Sequence, residues 1–120
     1  MAFESILRKL LSNTPGSIGA LLLDWEGESV EIVAVDIPDE ELRLVGAYQA
    51  VFLDRLQRIC SETDVGVPFQ FEILFEGTVF LNAVLRDGYY AVLVLRSDAS
   101  RSLAWQKLDF CRAELLKEMG

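Results

Sequence analysis

Histidine is missing altogether from these 120 residues, and with it the side chain most used as a general base and metal ligand near neutral pH. Cysteine occurs twice, as Cys60 and Cys111, with no CxxC pair. Both fall in helical patterns and read as small core residues of a reducing compartment. No apolar run approaches the roughly 20 residues of a membrane span. The start, Met1-Ala2-Phe3-Glu4-Ser5, lacks the layout of a secretory signal. The expectation is a soluble, cytoplasmic protein without membrane insertion. Low-complexity stretches, repeats and long linkers are also missing, so residues 1–120 read as a single domain.

Basic residues are absent from one long segment. From Asp24 to Glu41 there are eight acids (Asp24, Glu26, Glu28, Glu31, Asp36, Asp39, Glu40, Glu41) and no Lys or Arg, whereas the rest of the chain balances 11 acids with 11 bases. One 18-residue segment therefore carries the whole net charge of −8. Nucleic acid and anionic lipid both need a basic face, so neither is an expected partner.

Apolar residues, by contrast, are in excess. Counting Gly but not Tyr they make up 67 of 120 positions, above the ~45–50% of an average domain. The excess suggests apolar surface buried beyond a monomer's needs.

The pattern along the chain is mixed. Phe3, Ile6, Leu7, Leu10 and Leu11 share one helical face over 2–12, and Asn13-Thr14-Pro15-Gly16 stops that helix. Ile18 to Trp25 is a near-continuous apolar run, the signature of a strand covered on both faces. Glu26-Gly27 turns the chain, and Ser29 to Val35 returns as a strand. Pro38 followed by Asp39-Glu40-Glu41 starts a helix running to about Cys60, with acids at the positive end of its dipole. Projection at 100° per residue puts Leu42, Val45, Phe52, Leu53, Leu56, Ile59 and Cys60 on a main apolar stripe. Leu44, Ala47 and Val51 fall on a second side with Tyr48 between, and Gln49 stands unexplained inside the apolar arc. Phe69–Phe75, Thr78–Arg86 and Tyr89–Leu95 read as three strands joined by Glu76-Gly77 and Asp87-Gly88 hairpins. Ser97-Asp98 is the expected cap of a last helix through Met119, with Ala104, Trp105, Leu108, Cys111, Leu115, Leu116 and Met119 inward and Leu103 and Phe110 against the first helix. The element order is αββαβββα, an α+β domain with helices on both faces of the sheet.

A search for chemistry returns little. There is no GxxxxGK[ST] loop. Gly16-Ser17-Ile18-Gly19 is neither a dinucleotide fingerprint nor a nucleophile elbow. Asp24-x-Glu26-x-Glu28 has the opening of a calcium loop but Ser29 at its sixth position and Val35 at its twelfth. Trp25 and Trp105 are better suited to a core or interface than to stacking a cofactor. No catalytic, metal or cofactor residue is expected.

Two features instead suggest binding. The strand Phe69-Gln70-Phe71-Glu72-Ile73-Leu74-Phe75 has one acid, no Lys and no internal Pro, and so lacks the usual protection of an edge strand. It is paired by another strand of the same chain, covered by a helix, or paired by something else. The second stripe of the 39–60 helix needs its own partner, and Ala47 is small enough for close approach.

The run Thr14 to Gly27, a Pro-Gly break before an apolar strand ending Asp-x-x-Gly, resembles the opening of the roadblock/LC7 family. The run Val92 to Ala104, an apolar strand leading through Asp98-Ala99 into the last helix, resembles its close, and the element order matches over essentially the whole chain. The resemblance implies a five-stranded antiparallel sheet in the order 2-1-5-4-3, with the central helix on one face and both terminal helices on the other. It also implies a homodimer joined through the third strand and the central helix, here Phe69 to Leu74 with Ala47 and Val51. Paired central helices in that family form a platform for Ras-like small GTPases, which MglB-type bacterial members regulate without an arginine finger and others scaffold. That points to Arg43, Leu44, Asp54, Arg55 and Arg58 as the partner surface. Two other classes compete. One is a type III secretion-type chaperone, small, acidic and dimeric but with three strands before its central helix. The other is a profilin- or PAS-like sensor, which needs an internal cavity.

Overall fold

The structure is a computed structural model and describes residues 2–120. In chain order it has α1 (Ala2–Ser12), β1 (Ser17–Leu23), β2 (Ser29–Ala34), α2 (Asp39–Ser61), β3 (Gln70–Leu74), β4 (Thr78–Val84), β5 (Tyr90–Arg96) and α3 (Arg101–Met119). The strands form one sheet in the order β2-β1-β5-β4-β3, and every neighbouring pair is antiparallel. Strand order and layers are those the family resemblance implies.

Local chemistry explains the turns. Asp87 at φ 55° and Gly88 at φ 82° supply the two left-handed residues of the β4–β5 hairpin, the conformation Asp-Gly favours. Asp24 organises the β1–β2 connection: its Oδ1 accepts from the backbone N–H groups of Glu26 and Glu28 at 2.9 and 3.1 Å, and its carbonyl accepts from Gly27. The calcium-like spacing is thus an Asx turn. The last helix is capped by Ser100, whose Oγ accepts from Leu103 N–H at 3.3 Å. The expected Ser97-Asp98 cap lies one turn too early, because the chain bends there and Ala99 N–H bonds the Arg96 carbonyl.

The sheet separates two cores. On one side α1 and α3 bury Leu7, Leu10, Leu108, Cys111 and Leu115 against Leu22, Leu81, Leu93 and Leu95. On the other side α2 buries Leu42 and Leu53 against Leu21, Leu23, Tyr90, Val92 and Val94. Central strands β1 and β5 are apolar on both faces for this reason. Gly46 allows α2 to sit low, since a Cβ there would lie 2.6 Å from Leu23 Cδ2.

Two sequence expectations change at this level, for the faces of α2 and for Phe110, and the place of Gln49 inside the apolar arc is explained. The buried line of α2 is Leu42, Gly46, Gln49 and Leu53, whereas Phe52 and Ile59 are 41% and 55% exposed. Gln49 belongs to the buried line because it has a partner: Asn82 Nδ2 donates to Gln49 Oε1 at 2.9 Å, and Gln49 Nε2 donates to the Val45 carbonyl at 3.3 Å. Phe110 is 70% exposed rather than packed on α1.

Candidate functional site

The ladder geometry decides what β3 offers. Phe75 N–H donates to Thr78 C=O at 2.8 Å and Val84 N–H donates to Phe69 C=O at 3.0 Å. With the pairs Phe71–Asn82 and Ile73–Phe80 between them, the odd-numbered residues turn their backbone groups toward β4. Antiparallel pairing alternates, so Gln70, Glu72 and Leu74 turn theirs outward. β3 ends the sheet, and its outer side has no strand partner among the described residues. Phe71 packs against the α2-side core, as does Phe80. Phe80 also packs on Phe75 with ring centroids 5.1 Å apart.

The second surface is the outer side of α2. Leu44, Tyr48, Val51, Phe52 and Ile59 are all exposed large apolar residues there. The spacing of Leu44, Tyr48, Val51 and Arg55 alternates four and three residues, which keeps them in one line directly opposite the buried line. Ala47, on the flank of that line, is exposed as well. Of the expected partner residues, Arg43, Leu44, Asp54, Arg55 and Arg58 are all exposed. Asp54 and Arg58 face each other one turn apart at 3.6 Å. Periodicity alone assigns Tyr48, Phe52 and Ile59 elsewhere. Mid-helix Gly46 is the signal that finds the true buried face, since a glycine inside a helix marks close packing.

From the other side of the sheet, α3 reaches the same edge. Trp105 Nε1 donates to Glu72 Oε1 at 2.8 Å, and Arg101 Nε lies 3.8 Å from Glu72 Oε2. Arg112 Nη2 donates to the Phe69 carbonyl at 3.1 Å and to Gln70 Oε1 at 3.4 Å. Its guanidinium carbon sits 4.0 Å from the centre of the Phe69 ring. Arg112 is buried, its Nε has no hydrogen-bond partner among the described residues, and loss of hydration lowers its pKa, with Asp109 partly opposing. Sequence reading places Trp105 in the core and gives Arg112 no role, because their partners lie more than 30 residues away.

Among the described residues no cluster of three or more His, Cys, Asp or Glu side chains is arranged to hold a metal, and no helix is long and apolar enough to cross a membrane. The two cysteines are free. Leu42, Gln49, Leu53 and Tyr90 are buried between α2 and the sheet.

No protein-family model matches the sequence, nor does any curated protein. Solved structures do. A roadblock/LC7 domain from Streptomyces avermitilis superposes with a TM-score of 0.82 at 13% identity, covering 98% of each chain. The chain has the roadblock/LC7 fold. Myxococcus xanthus MglB matches with a TM-score of 0.87 at 10% identity over 98% of this chain and 94% of that one. The gliding protein MglB of Thermus thermophilus matches at 0.85 and 16% identity over 97% and 87%. At such identities it is the roadblock/LC7 fold that is shared, and the order of two strands before α2 and three after it is unlike that of the secretion chaperones.

Proposed function

We propose that this chain is a homodimeric, non-catalytic regulator or scaffold of a Ras-like small GTPase. One observation carries the reading: the outward backbone of Gln70, Glu72 and Leu74 on an unguarded sheet edge lies in the same molecule as a continuous exposed apolar line on α2. A second copy meets both needs at once. Its β3 supplies the missing ladder, and its α2 covers Ala47 and Val51. The joined helices then present Arg43, Leu44, Asp54, Arg55 and Arg58 to a partner. Support for the GTPase comes from the fold shared with the two MglB proteins and from the motif resemblance at either end of the chain.

Sedimentation tests the dimer. Wild type is expected to be dimeric at micromolar concentration, and Phe71→Asp and Ile73→Lys monomeric or aggregated, since each sets a charge in a desolvated strip. Intact dimers in both variants exclude β3 as the interface. The partner is tested by retention of nucleotide-loaded small GTPases on the immobilised chain. Binding that depends on the nucleotide and weakens in Leu44→Asp supports the proposal, and retention of secreted effectors alone overturns it.

A further inference from the structure

The three residues that turn their backbone groups outward from β3 are also the ones whose side chains lie on the α3 side of the sheet. Two of the three are held from below, Gln70 by Arg112 and Glu72 by Trp105 and Arg101. Among the described residues β4 is the one strand that pairs with β3. Left free, the Glu72 carboxylate would swing across the open edge and act as the charge that normally guards one. The indole N–H of Trp105 draws it under the sheet.

We infer that Trp105 and Arg112 are positioning residues, which hold the outward backbone of β3 ready for an incoming strand and keep the Glu72 carboxylate out of its path; this rests on the self-pairing proposed above. Ordering the edge before association lowers the entropy lost on pairing. It also explains why a guanidinium is buried beneath an edge strand. Arg112 holds the Phe69 carbonyl, the first acceptor of the ladder, and the neighbouring Gln70 side chain together.

The test compares wild type with Trp105→Phe, Arg112→Met and Glu72→Gln. Trp105→Phe keeps an aromatic ring and removes the donor. Arg112→Met keeps an apolar stem, and Glu72→Gln keeps the acceptor that Trp105 needs. Trp105→Phe and Arg112→Met are expected to retain the wild-type far-UV circular dichroism spectrum, to weaken self-association about tenfold or more, and to speed amide exchange at Phe71 and Ile73. Glu72→Gln is expected to associate like wild type, which a merely charge-based role for Glu72 does not predict. Wild-type association and exchange in Trp105→Phe overturn the inference, even if Arg112→Met fails to fold. A wild-type chain that remains monomeric at high concentration overturns the self-pairing reading instead, and exchange at Phe71 and Ile73 then still decides whether α3 holds the strand.

Discussion

At the scale of single residues, Gln49 and Asn82 show how a polar pair can sit in an apolar core. Both are fully buried, and their mutual hydrogen bond at 2.9 Å links the middle of α2 to β4. Asn82 Oδ1 has no hydrogen-bond partner among the described residues, so the pair is incompletely satisfied, and a buried polar atom left alone costs about 1–3 kcal/mol. Gln49→Leu also removes the acceptor of Asn82 Nδ2. It is expected to destabilise the chain by about 2 kcal/mol, whereas the double change with Asn82→Leu recovers most of that loss. Urea denaturation of the two single and the double variants completes the cycle, and additive losses refute the coupling. Periodicity flags Gln49 as out of place, but its explanation lies 33 residues away in the chain, beyond the reach of local pattern.

At the scale of elements, breaks and turns are legible in the sequence and faces only partly so. Asp87-Gly88 and Thr14-Pro15-Gly16 fix where strands and helices end through left-handed backbone conformations, at Asp87, Gly88 and Gly16, that few other residues adopt. Gly16 illustrates the constraint. It has φ 87°, and a Cβ would stand 2.6 Å from Ala99 Cβ, where the start of β1 meets the lead into α3. Gly16→Ala is therefore expected to cost about 2 kcal/mol, read as a lowered urea midpoint with the fold retained; a change below a few tenths would refute it. The burial of α2 is harder to read. Two apolar arcs run along it, and local spacing does not say which one meets the sheet. Periodicity draws Phe52 and Ile59 to the wrong side because the true contact line includes small and polar residues, Gly46 and Gln49, rather than only the largest apolar ones. The β3 edge is legible from composition alone, as a strand with no Lys and no internal Pro. The hold of α3 on it is not, since Trp105 and Arg112 read as ordinary helix residues until the sheet places Glu72 and Phe69 beside them.

At the scale of the whole molecule, one sheet separates two cores, and each holds a titratable group whose pKa is raised by burial. Tyr90 lies in the α2-side core and Cys111 in the core under α1 and α3. Burial, with a smaller push from Asp24, raises the Tyr90 hydroxyl from 10.0 to about 12. Burial, with Glu114 adding and Lys9 opposing, raises the Cys111 thiol from 9.0 to about 12. Both folded values exceed the unfolded ones, so the stability due to the neutral forms is complete below about pH 9 and is lost as the pH climbs toward 12. Unfolding free energy is expected to fall steadily over that range, and to fall less in the Tyr90→Phe, Cys111→Ala double variant; equal slopes refute it. The charge of −8 resolves at this scale too. The segment without bases lies along β2 and its flanks, at the edge opposite β3. Acids repel an incoming strand there. On the pairing proposed above, growth of the sheet has a valence of one: any strand that docks on β3, whether a second copy or a peptide from elsewhere, uses up that edge. Occupancy by one excludes the other, so a peptide able to add to β3 is a competitive inhibitor of self-pairing, and chains joined in this way form closed pairs rather than filaments.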